Sequence, residues 1–208
     1  MSKCTVPSAP MLTSRHKMLV PSILAGVPDM DLSTVPNGWI IALWFGVVGM
    51  CVGSFANVVV YRLPIIRKLG DQADGQKLQE LIAKHGKFNL SLPRSSCPCC
   101  GTKIKALHNI PVLSWILLRG KCASCAKPIP IKYPAVELLF GIAFAAYVWS
   151  DGLSVAGLIT LPVMAIGFCL FTIFLQTRRI VKSLAFAYVG AVVLQLIIIN
   201  FVPGIYVS

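Results

Sequence analysis

The sequence predicts an α-helical polytopic membrane protein of about four transmembrane helices, with a small zinc-ribbon-like domain inserted after the first of them. Three observations carry this expectation. The 208 residues are 56% hydrophobic and only 12% charged, with a mean hydropathy of +0.78, which is a membrane composition. Four apolar runs cover 39–60, 134–149, 155–176 and 184–201. Between the first and second runs lies a polar, basic stretch that holds two Cys-x2-Cys pairs.

Residues 1–37 contain an apolar stretch broken by Pro21 and no clean cleavage site, so they read as an irregular extracytoplasmic segment and not as a secretory signal. Residues 38–61 form the first expected span. It and the third run are long enough to cross about 30 Å of hydrocarbon as helices. The second run is shorter and carries Glu137. Residues 62–133 form the expected metal-binding domain, in which KLQELIAKHG shows a helical pattern within a polar linker. Residues 134–208 are expected to hold three further spans.

Charge sets the orientation. Nineteen Lys and Arg face seven Asp and Glu, and thirteen of the cations lie between Arg62 and Lys132, opposed there by Asp71, Asp74 and Glu80. Basic residues beside spans resist translocation. Arg62, Arg67 and Lys68 after the first run, Lys127 and Lys132 before the second, and Arg178, Arg179 and Lys182 between the third and fourth therefore belong on the cytoplasmic side. Lys3, Arg15 and Lys17 run against the outside placement of the N-terminus.

Cys97 and Cys100 bracket Pro98 and Cys99, and Cys122 and Cys125 bracket Ala123 and Ser124, which gives C-x2-C-x21-C-x2-C. Each pair can place two thiolates on one ion, and four complete a closed tetrahedral zinc site. Disulfides are the alternative, but they need an oxidising compartment, whereas the charges place this loop in the cytoplasm. Cys99 reads as a free thiol or as a competitor for the metal. Cys4, Cys51 and Cys169 stand in or near apolar sequence and read as small hydrophobes. A basic zinc module raises nucleic-acid binding as a function. The stretch between the pairs, LHNIPVLSWILLRG, is instead apolar and lacks cations interleaved with base-stacking aromatics, so no nucleic-acid partner is expected; membrane lipid is.

Gly53 and Asn57 fall on one helix face near the inner end of the first run, with Ser54 beside them. Small residues there permit close helix packing, and Asn57 can hydrogen-bond across helices; the same three residues equally suit a substrate contact. Arg62 and Pro64 read as membrane boundary and helix stop, with Arg62 a snorkelling anchor or a substrate contact. Glu137 is an ionisable group inside an apolar run, which is costly unless paired or functional. Its candidate partners are Arg62, Arg119 and Lys132. It reads either as a structural ion pair or as a catalytic carboxylate.

GSFANVVVYRLP at 53–64, LPRSSCPCCG at 92–101, HNIPVLSWILLRGKCASC at 108–125 and YPAVELL at 133–139 together resemble the N-terminal half of the type IV prepilin peptidases. The resemblance covers roughly residues 40–150. It implies a bacterial inner-membrane, multi-pass protein that acts on type IV pilin or type II secretion pseudopilin precursors. Family members cleave a basic leader with two membrane-embedded aspartates and then methylate the new N-terminus from S-adenosylmethionine. Gly53, Ser54, Asn57, Arg62, Asn109 and Arg119 are the expected substrate-binding residues. His108 stands where the family typically has an acidic residue before Asn-Ile-Pro.

No Asp or Glu follows Asp151, and TIFLQTRRIVKSL occupies the place of the family's first aspartate segment. The chain alone is therefore not expected to be the protease. Three roles remain in view: a pilin N-methyltransferase, a non-catalytic pilin-binding or regulatory protein, and one half of a split enzyme whose aspartates come from a second subunit. No Gly-rich nucleotide loop follows a strand, so S-adenosylmethionine rests on the resemblance alone.

Overall fold

The computed structural model describes residues 38–153 and 155–201, and for 155, 156 and 201 the backbone only. The expectation for the N-terminal segment 1–37 lies outside these residues. Among the described residues six α-helices follow in order: α1 Gly38–Ile66, α2 Gln76–His85, α3 Leu113–Leu117, α4 Lys132–Asp151, α5 Val155–Thr177 and α6 Lys182–Phe201. Short 3-10 turns stand at Gly70–Gln72 and Ala106–Asn109. Four helices, α1, α4, α5 and α6, are long and apolar enough to cross a membrane. The protein is an α-helical polytopic membrane protein, and its cysteine-rich region follows the first span.

Two boundaries differ from the sequence reading. α1 does not stop at 61 but runs through Pro64 to Ile66. Proline forfeits one backbone hydrogen bond, yet its φ suits a helix. Here Pro64 and Ile65 are buried, and Arg67 N–H still reaches Leu63 O at 2.9 Å, so packing carries the helix past the expected stop. α4 starts two residues early, at Lys132, because Pro134 lies in the first turn, where a missing N–H has no intrahelical partner to lose.

The interface between α1 and α4 organises the fold. A Cβ on Gly49 would lie 2.5 Å from Phe140 O and 2.8 Å from Phe144 Cβ, and one on Gly53 would lie 2.9 Å from Glu137 Cα. Gly141 answers from α4, where a Cβ would meet Met50 Cγ at 2.6 Å. Lipid tails are as apolar as leucine, so spans associate through close packing and interhelical hydrogen bonds, and G-x-x-x-G, here Gly49 to Gly53, lets backbones approach. Ala56 and Val59 of α1, Phe140, Phe144 and Val148 of α4, and Leu161 and Cys169 of α5 form the buried centre. Phe140 and Phe168 meet edge to face at 5.1 Å.

Polar contacts tie the remaining spans. Tyr147 OH lies 3.3 Å from Thr160 Oγ1, and Gln195 Nε2 donates to the same oxygen at 2.8 Å, which links α4, α5 and α6. Gly49→Val is expected to lower the melting temperature in detergent by several degrees, because the overlap is with backbone and aromatic carbon and cannot be relieved by a flexible tip. Gly190→Ala, whose new methyl would meet nothing within 4 Å, is expected to leave it unchanged or raised. Differential scanning fluorimetry of the two variants checks the contrast.

Candidate metal centre and the loop it closes

The two cysteine pairs fold as matching knuckles. In the first, Cys97 N–H donates to Thr102 O at 3.0 Å and Gly101 N–H to Cys97 O at 2.9 Å. In the second, Cys122 N–H donates to Lys127 O and Ala126 N–H to Cys122 O, both at 2.9 Å. Each knuckle is closed by one antiparallel bridge, Ser96 with Lys103 and Lys121 with Pro128, and among the described residues these bridges are all that remains of a ribbon hairpin. Gly101 and Ala126 occupy equivalent positions with φ of 71° and 56°, a left-handed conformation that glycine tolerates and alanine resists.

The Sγ atoms of Cys97, Cys100, Cys122 and Cys125 all lie within 4.8 Å of one another, and Cys97 and Cys125 are 3.8 Å apart. Zinc–sulfur bonds of about 2.3 Å in a tetrahedron separate sulfurs by roughly 3.8 Å, so the cluster fits a four-thiolate ion. Cys100 is poised as a thiolate. The Thr102 hydroxyl and backbone N–H beside it hold its pKa at about 6. Backbone N–H groups of Cys125 and Ser124 pull Cys122 down as well. At Cys125 the Lys127 N–H acts in the same direction, but desolvation and the neighbouring sulfurs outweigh it and push the thiol to about 12. Metal ligation requires the thiolate form, so binding a cation releases protons from such a set. Cys99, between two ligands, is exposed and outside the cluster, so of the two sequence readings the structure favours the free thiol.

Trp115 braces the second knuckle. Its Nε1 donates to Ile129 O at 3.1 Å, and its ring covers Gly120, where a Cβ would stand 2.8 Å from Cζ2. Gly120 also needs its φ of 68°. The sequence reading had passed over this pair; a tryptophan five residues before a glycine that abuts a cysteine knuckle was the available signal.

The knuckles hold the ends of a loop whose middle is tied to the spans. Glu137 Oε2, on α4, accepts the Val112 backbone N–H at 2.7 Å. Val112 has φ 58° and ψ −51°, and Leu113 N–H bonds back to Pro111 O, a γ-turn that is strained for a β-branched residue. The sequence reading offered Arg62, Arg119 or Lys132 as the partner of Glu137; the partner is this amide. Among the described residues Glu137 Oε1 has no hydrogen-bond or ion-pair partner, and the side chain is half-buried.

The other expected site residues divide into two groups. Gly53 abuts Glu137, and Asn57 Nδ2 donates to Tyr133 O at 3.1 Å, so both stand at the α1–α4 junction beside the strained turn. Ser54 is half-buried on the same helix. Arg62 is buried and turned elsewhere. Its guanidinium donates to Asn89 O at 2.9 Å and Pro93 O at 2.8 Å and lies 5.5 Å from the Phe88 ring, which anchors the stretch leading into the first knuckle. Asn109 is exposed on a cavity of about 300 Å³ with Ser91, Arg94, Ser95, Ile104 and Ala106. Arg119 is exposed, with φ 51°, between Trp115 and the second knuckle. Lys132 lies 5.3 Å from the Tyr133 ring.

Apolar spans, with a four-sulfur knuckle pair clamped to the first two of them, define a membrane protein that carries a cysteine-rich loop domain. The chain belongs to the family described as the bacterial peptidase A24 N-terminal domain, whose model matches residues 47–150. It is similar to the prepilin leader peptidase/N-methyltransferase of Pseudomonas putida, 43% identical over 117 residues, 56% of this chain and 41% of the relative. The protein of that name from Neisseria gonorrhoeae is 44% identical over 111 residues, 52% of this chain and 39% of the relative. The one from Burkholderia pseudomallei is 38% identical over 164 residues, 77% and 53% of the two chains. The matched stretch thus spans about two fifths to half the length of these relatives. No solved structure matches the chain significantly.

The protein is expected to bind one zinc ion per chain by elemental analysis. Cys122→Ser should abolish binding, because three thiolates and an exposed fourth position hold a structural ion far more weakly, while Cys99→Ser should keep it. Glu137→Ala is expected to expose the loop to trypsin at Lys105 and Arg119 roughly tenfold faster, since a charge-assisted hydrogen bond is worth about 1.5–3 kcal/mol. Glu137→Gln, which still offers an acceptor to Val112, should retain most of the protection.

Proposed function

We propose that this chain is a bacterial inner-membrane protein that receives the N-terminal segment of type IV pilin or type II pseudopilin precursors, with its cysteine loop on the cytoplasmic side. The observation that carries this reading is Glu137. One carboxylate oxygen secures the loop and the other stands open at the α1–α4 junction, beside Gly53 and Asn57. A carboxylate at the edge of the apolar region suits the charged amine or basic leader of a segment whose remainder is apolar. The names of the relatives supply the substrate class. Zinc holds the loop closed and takes no part in chemistry, because all four of its positions are filled by sulfur.

The chain does not carry the aspartyl protease chemistry in this reading. That mechanism needs two carboxylates sharing a water, one protonated and one not. α5 and α6 contain no Asp or Glu. Where cleavage occurs, a second subunit would supply the pair.

N-methylation is the second reading, favoured by the open Glu137 oxygen, which can take the proton an amine must lose before its lone pair can attack a methyl group. The residues do not fit S-adenosylmethionine into the same site. The cavity with Arg94 and Asn109 is at the small end for a ligand of that size and shares no lining residue with Glu137. No step through that group is derived.

Immobilised full-length protein is expected to retain leader-bearing pilin without cutting it, and Glu137→Gln to weaken retention by about tenfold, equivalent to about 1.4 kcal/mol. Leader cleavage by the purified chain alone would contradict the reading. Transfer of label from methyl-labelled S-adenosylmethionine to processed pilin, lost in Glu137→Gln, would establish the methylation reading.

A further inference from the structure

Far in sequence from the knuckles, the ends of α1, α5 and α6 enclose an open cavity of about 1020 Å³ lined by Arg67, Arg178, Arg179 and Lys182, with Phe174 and Phe186 among its apolar walls. No acidic residue lines it. Four cations around one space repel one another, and at a membrane boundary, where the dielectric is low, that repulsion is stronger than on an aqueous surface.

The backbone here is fixed. Arg178 closes α5 in the left-handed conformation, φ 53°, with its N–H on Phe174 O at 2.7 Å. Thr177 Oγ1 donates to Ile173 O at 2.9 Å and accepts the Arg179 N–H at 3.2 Å, so the turn that bears both arginines is pinned to the last turn of α5. Gly70 brings the stretch after α1 onto the same turn, since a Cβ there would stand 3.2 Å from Thr177 Cα. Arg67 Nη2 then reaches Ser183 Oγ at 3.3 Å, joining the α1 end to the start of α6.

We propose that this cavity is a binding site for the phosphate of an anionic membrane phospholipid. Arginine forks match phosphate oxygens in bidentate fashion, and basic pockets between transmembrane helices recognise anionic headgroups. The apolar walls decide between a lipid and a free phosphate. Phe174 and Phe186 belong to spans, so a ligand seated on the cations meets hydrocarbon on one side, as a headgroup with acyl chains does and a hydrated phosphate does not.

Native mass spectrometry of the full chain in neutral detergent, titrated with phosphatidylglycerol, tests the site. One lipid per chain is expected to be retained, against little retention of zwitterionic phosphatidylcholine. Arg178→Gln with Arg179→Gln should weaken retention roughly tenfold or more. Arg67→Gln, on the opposite side of the cavity, should act in the same direction and gives an independent variant should the double change impair folding. Lys84→Gln with Lys87→Gln removes the same charge elsewhere and should change nothing. Unaltered retention in both arginine variants, an equal loss in the lysine control, or displacement of the lipid by millimolar inorganic phosphate would overturn the proposal.

Discussion

The Glu137 carboxylate on α4 holds the Val112 amide, and this hydrogen bond ties the middle of the cysteine loop to the spans. A carboxylate five residues into a span is expensive, and a γ-turn at a β-branched residue is strained. Each cost offsets the other. The turn presents an N–H that has no other acceptor among the described residues, and the carboxylate gains the donor that its position in an apolar helix denies it. Everything around the pair serves to keep them aligned. Gly53 lets α1 lie against Glu137, Asn57 fixes the start of α4, and the two knuckles hold the ends of the loop whose middle carries Val112.

The cysteine cluster therefore acts on this bond through the loop whose ends it holds. Four sulfurs close the loop at its ends, Trp115 over Gly120 stiffens the second knuckle, and buried Arg62 anchors the approach to the first through carbonyls of Asn89 and Pro93. Arg62 thereby does for the loop what a surface lysine could not. Its planar fork reaches several carbonyls at once and its charge is shared with the Phe88 ring.

Much of this was legible in the residues. The four apolar runs became the four spans, the C-x2-C-x21-C-x2-C spacing became a cluster of metal-binding dimensions, and Gly53 with Asn57 proved to share a face toward α4. What was not legible depended on contacts between distant residues. Pro64 reads locally as a stop, and only burial of Pro64 and Ile65 carries α1 on to Ile66. Glu137 looks for a cation along the sequence, whereas folding supplies an amide 25 residues away. Gly49 and Gly141 need the opposing helix before their missing Cβ atoms acquire meaning. The basic turn at Arg178 and Arg179 reads from sequence as an orientation signal, and only the folded chain adds Arg67 to it.

The link between Glu137 and Val112 is open to direct observation by nuclear magnetic resonance of the full chain with 15N-labelled valine in micelles. A charge-assisted bond to a carboxylate draws an amide proton downfield and slows its exchange. The account predicts one valine amide with both properties, shifted upfield in Glu137→Gln and exchanging rapidly in Glu137→Ala, with the zinc still bound in each. A Val112 resonance at an ordinary shift that ignores both substitutions would contradict it.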